Sequence, residues 1–159
     1  MPKEAAKVLI DYIKSIERAT EFAERVDEEE VWVMLGKAQL GMMMVKECIV
    51  SFIKATDASE YTNVINAADT DGCYPQLVEY LTMCRKKVKE AHIDTSLIFA
   101  YAKSEMYAEL EEFISAPNVG RIQDVAERCY AEAMYESAKI LFNSISNFAR
   151  LATCLMHLG

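Results

Sequence analysis

The sequence predicts an all-α fold, an α-α superhelix or solenoid in which about five helical hairpins of roughly 30 residues stack in chain order. Three observations predict it. Apolar residues recur at i, i+3, i+4 and i+7 almost from end to end, and no stretch of four or more residues alternates as a strand would. At 52% hydrophobic residues the 159-residue chain can fill a core, while 5 glycines and 3 prolines are too few for a turn-rich sheet protein. Small or apolar residues also return at a longer period. Ala19, Cys48, Leu77, Leu110 and Ala138 lie 29, 29, 33 and 28 residues apart, and Ala38, Ala68, Ala102 and Cys129 lie 30, 34 and 27 apart. A hairpin of two short helices cannot bury its apolar faces alone, so successive hairpins must lean on one another.

About eleven helices follow, at 3–14, 16–26, 28–40, 43–55, 58–69, 74–88, 93–104, 106–115, 119–132, 134–144 and 147–158. Asp27 reads as the N-cap of the third, with Glu28, Glu29 and Glu30 complementing its positive end. Asp57 with Glu60 repeats that pattern before the fifth. Asp71-Gly72 breaks the chain, and Pro75 suits a first helical turn. Ala116-Pro117-Asn118 ends one helix and caps the next. The run Met42-Met43-Met44 falls at a hairpin turn, where packing against the adjacent repeat is favoured over recognition of a partner. Residues 1–159 thus form a single solenoid fragment of a longer array, truncated at both ends, since neither end shows the polar face of a terminal repeat.

Composition narrows the function. A net charge of −8 argues against a nucleic-acid surface, and the basic run Arg85-Lys86-Lys87 with Lys89 reads as the solvated C-terminal end of a helix. The cysteines, Cys48, Cys73, Cys84, Cys129 and Cys154, fit neither zinc nor dithiol spacings and read as small core residues in a reducing compartment. Apolar runs such as 40–45 and 97–102 are far short of the roughly 20 residues that cross a bilayer, so a soluble cytosolic protein is expected. His92 and His157 read as surface residues, and Glu109, Glu111 and Glu112 as an exposed helix face. No glycine-rich phosphate loop, nucleophile with a base, or metal-ligand spacing is present, so no catalytic, cofactor or metal residue is assigned and no enzyme is expected.

Particular strings go beyond periodicity: IERATEFAERV at 16–26, VWVMLGKAQL at 31–40, MVKECIVSFIKATDASEY at 44–61, LVEYLTMCRKK at 77–87, AELEEFI at 108–114 and RCYAEAMYESAKILFNSISNFARLATCLMHLG at 128–159. Together they resemble the clathrin heavy chain. The resemblance implies a right-handed superhelix, in the distal leg approaching the knee, ahead of the segment that carries light chains. It also implies a coat-lattice role in endocytosis and vesicle transport, on the cytosolic face of coated vesicles and pits. Other heavy-chain legs are the partners it implies. Light chain would bind elsewhere in the full protein, adaptors would bind regions absent here, and the isolated fragment would be a monomer. Cys48 and Cys84 stand where the family tends to have alanine, and 40–44 is more apolar than the family pattern, which marks a divergent member. A helical-repeat subunit of a vacuolar sorting or tethering complex is the nearest alternative, with a generic peptide-binding solenoid behind it.

Overall fold

The computed structural model describes the backbone over residues 2–159 and the side chains over 14–159. Ten α-helices are present among the described residues: α1 Pro2–Val26, α2 Glu29–Gly41, α3 Val45–Ala55, α4 Tyr61–Asp71, α5 Tyr74–Lys87, α6 Ala91–Lys103, α7 Tyr107–Ser115, α8 Ile122–Ala131, α9 Tyr135–Ser144 and α10 Phe148–Leu158. They group into two compact units, one ending at Asp71 and the other beginning at Gly72.

One predicted boundary does not exist. A break near residue 15 was expected from the hairpin period, yet α1 runs unbroken over 25 residues. Lys14-Ser15-Ile16 contains neither glycine nor proline, and serine costs a helix interior little. The Thr20 hydroxyl instead donates back to the Ile16 carbonyl at 2.9 Å, a bond made within a continuous helix. Ala19 is consequently exposed and does not belong to the buried repeat that its spacing suggested.

In the first unit, α1 packs on α2, α2 on α3 and α3 on α4. Ile16, Ala23, Trp32, Leu35 and Ala55 form one buried cluster, with Met42 and Met44 packed against it. The axes of α2 and α3 come close because Gly36 has no side chain: a Cβ there would lie 2.8 Å from the Phe52 ring. Beside that contact the Ser51 hydroxyl donates to Gln39 Oε1 at 2.6 Å, which satisfies two buried polar groups across the pair.

The second unit repeats the arrangement. Neighbours pack as α5 on α6, α6 on α7, α8 on α9 and α9 on α10, and alternate helices also meet, α6 on α8 and α7 on α9. Contact with the next helix and the next but one is what stacking hairpins requires. Ile98, Ala102, Leu110, Ala126, Cys129, Leu141, Phe142 and Cys154, drawn from α6 to α10, share one buried cluster.

The hairpin turns have a common construction. Met43, Glu105, Ala133 and Ser146 have φ between 56 and 60°, the left-handed region. The amide after each one donates to the carbonyl five residues back, at 2.9, 3.0, 2.8 and 2.9 Å, as in a Schellman turn. That same residue then starts the following helix: Met44, Met106, Met134 and Asn147 have φ −85 to −88° and ψ 66 to 79°. Cys73, after Gly72 at φ 80°, does the same for α5. Its partner four residues on is the long-period position: Cys48, Leu77, Leu110 and Ala138 donate to the carbonyls of Met44, Cys73, Met106 and Met134 at 2.9 to 3.1 Å.

The caps differ from those read in the sequence. Glu28, not Asp27, is the N-cap of α2. Asp27 has φ 52° at the end of α1, and its carboxylate accepts the Trp32 indole N–H at 2.9 Å. Asp57 accepts from the amide and hydroxyl of Ser59 in the turn ahead of α4, where Glu60 precedes the first residue. Asn118 does not cap α8, whose N-cap is Arg121; it donates back to the Phe113 and Ala116 carbonyls at the end of α7. Pro75 lies in the first turn of α5, as expected.

Candidate functional site

The predicted core cysteines are all buried thiols. Burial pushes the Cys129 thiol up to about 12, with Glu132 adding to the rise against Arg128 and Lys103. Burial likewise raises Cys154. A buried thiol held protonated is a poor nucleophile at neutral pH. Among the described residues no group of three His, Cys, Asp or Glu is placed to hold a metal ion. No helix among them is long and apolar enough to cross a membrane.

His92 is exposed in the first turn of α6, and Glu109, Glu111 and Glu112 are exposed on α7. His157 is exposed but organised: its ring stacks on Tyr135 with centroids 4.3 Å apart, and Nε2 lies 3.2 Å from the Tyr130 hydroxyl. Of the methionine run, Met42 and Met44 turn inward onto the core, while Met43 is 53% exposed at the left-handed position.

Polar structure concentrates where the sequence showed only an ordinary basic run. Lys86, Lys87 and Lys89 are exposed as expected, but Arg85 is not merely solvated. Its Nε donates to Asp94 Oδ1 at 3.1 Å, and its guanidinium lies 4.7 Å from the Phe113 ring centroid. Asp94 is 5% exposed, and its second oxygen accepts the Val119 amide at 2.9 Å. Thr95 Oγ1 accepts the Arg121 amide at 2.9 Å, and a Cβ on Gly120 would stand 2.5 Å from Ile98 Cδ1. One buried carboxylate therefore ties α5, the start of α6 and the loop ahead of α8 together.

The ring-and-carboxylate setting of Arg85 recurs twice. Arg128 Nε is 3.1 Å from Glu132 and its guanidinium 3.6 Å from the Phe99 ring centroid. Arg150 Nε donates to Glu127 at 3.2 Å, and its guanidinium carbon lies 4.2 Å from the Tyr130 ring centroid. Lys103 also binds Glu132, at 2.9 Å, and that hydrogen bond is the chief cause of the lowered Glu132 pKa. Sequence spacing had no means of finding Asp94, because its partners lie 9 and 25 residues away. Its one signal was a lone acid on an apolar helix. The arrangement is one of clamps between packed helices.

The family described as "Clathrin: Region in Clathrin and VPS" matches residues 52–159. The chain is 54% identical over 156 residues to a clathrin heavy chain of Dictyostelium discoideum, covering 98% of this chain and 9% of the relative. It is 49% identical over 159 residues to clathrin heavy chain 2 of Homo sapiens, covering 100% and 10%. Against a probable clathrin heavy chain of Schizosaccharomyces pombe the identity is 41% over 157 residues, covering 99% and 9%. The chain thus spans about a tenth of the length of these curated relatives.

Proposed function

Because this chain belongs to the clathrin heavy chain repeat family, we propose that it is a structural segment of a heavy-chain leg in a vesicle coat. The observation that carries the reading is 41 to 54% identity to clathrin heavy chains over at least 98% of the chain. Its work is mechanical, not catalytic. Hairpins joined by one repeated turn and clamped by partly exposed ion pairs can adjust by small rotations at each interface. Weak lateral contacts summed over many legs would then stabilise a lattice in which each contact alone is marginal.

Other heavy-chain legs are the proposed partners, at the cytosolic face of coated vesicles and pits. Light chain and adaptors are assigned to other parts of the full protein, and the isolated chain to a monomer. The matched family also includes VPS proteins, so a tethering subunit is the second reading; the relatives named above favour the first.

The test is replacement of the matching segment of the Dictyostelium heavy chain by this one, followed by assembly of the purified chimera and electron microscopy. Closed lattices like those of the parent are expected. A chimera that keeps the parent's helical content and melting temperature yet fails to assemble contradicts the reading.

A further inference from the structure

Alternate helices pack in the second unit, α6 on α8 and α7 on α9, but in the first unit α2 and α4 make no such packing, although α3 packs on both. A groove of about 500 Å³ opens between them, lined by Lys37, Leu40 and Gly41 of α2 and by Asn66 and Ala67 of α4. A Cβ on Gly41 would meet nothing within 4 Å, whereas at Gly36 and Gly120 it would strike Phe52 and Ile98. The end of α2 therefore faces open space where the other close approaches are filled.

The link between α3 and α4 is also unlike the hairpin turns. It begins as they do, with Thr56 at φ 51° and the Asp57 amide donating to the Phe52 carbonyl at 3.0 Å. Ala58, Ser59 and Glu60 then intervene, where the turns at Met43, Glu105, Ala133 and Ser146 start the next helix at once. Ser59 binds the Asp57 carboxylate, a contact made inside the link itself. A short loop tied mainly to itself can absorb a rotation of the helix that follows. We propose that α2 and α4 form a closable joint, in which α4 pivots on the 56–60 link until its Ala67 face meets the Gly41 end of α2. Opposing effects keep the open and closed forms close in free energy. Closing removes half-buried Leu40 and the 53%-exposed Met43 from water, and the small residues let the helices approach. It also strips water from Lys37 and Asn66, which opposes closure. Lys37 and Glu60 both line the groove with opposite charges, and among the described residues no ion pair joins them while it is open. Closure can supply that pair. A repeat that opens and closes would alter the curvature of a leg at that place; this consequence rests on the coat reading, whereas the joint and its test do not.

The experiment places nitroxide labels at exposed Met34 and Thr70 and measures their separation by double electron–electron resonance. Encoded ketone side chains carry the labels, which leaves the five native thiols untouched. Two populations are expected, the shorter holding about 10% of the molecules. Labels at His92 and Asp124, on the packed helices α6 and α8, should give one narrow distance. Gly41→Phe wedges the groove and should remove the shorter population while keeping the parent's helical content; if it lowers that content, Asn66→Phe on the opposite wall is read in its place. Lys37→Glu should reduce the shorter population at least about twofold. A single narrow distance between α2 and α4, as narrow as that between α6 and α8, overturns the proposal. So does a shorter population that the wedge or the charge reversal leaves unchanged.

Discussion

Ala133 occupies a left-handed backbone conformation at φ 60°, where its Cβ crowds the following carbonyl. Replacement by glycine relieves that crowding and loosens the unfolded chain, and the first effect is the larger at such a site. Ala133→Gly should therefore stabilise the chain by about 0.5–1 kcal/mol and raise the melting temperature by about 1–4 °C. A lower melting temperature would show that the turn is not under this strain. Asp94 behaves oppositely. Removing its carboxylate strands the Val119 amide and unpairs the two-thirds-buried Arg85, so Asp94→Ala should cost about 2–3 kcal/mol, read as a shift in the urea midpoint. A loss below about 0.5 kcal/mol would mean that water replaces both partners. Residue types at this scale were legible where burial follows from chemistry, as for the five cysteines. The caps were not, because Asp27, Asp57 and Asn118 bind neighbours in turns instead of capping the helices that follow.

The helices themselves follow from the apolar period, and the observed boundaries at Asp71, Tyr74 and Ser115 sit beside the glycine and proline signals that mark them. The period misleads in α1, where nothing at Lys14-Ser15-Ile16 ends the helix and it continues unbroken. The long-period positions Cys48, Leu77, Leu110 and Ala138 were found correctly as buried. The reason lies in the turns: each is four residues after a residue held at negative φ behind a left-handed one, a geometry set by Schellman bonds at Met44, Met106 and Met134 and by Gly72 ahead of Cys73. Methionine supplies that residue in three of the turns, which explains why Met44 packs inward while Met43 beside it stays exposed. Element-level clamps such as Arg128–Glu132–Lys103 were invisible for a different reason: Lys103 and Glu132 lie on different elements, and only packing of α6 against α8 brings them together.

At the largest scale, helices within each unit lean on the next helix and, in the second unit, also on the next but one. The family was legible because long strings carry it, whereas the junction around buried Asp94 was not, since its partners lie 9 and 25 residues away. Amide hydrogen exchange on a Phe142→Ala variant tests the central claim most directly. Phe142 is fully buried in α9, and its loss should cost about 3–5 kcal/mol locally. Because α9 packs on α7, α8 and α10, protection should fall most in α7 to α10 and least in α5. Equal loss of protection in α5 and α9 would contradict the account.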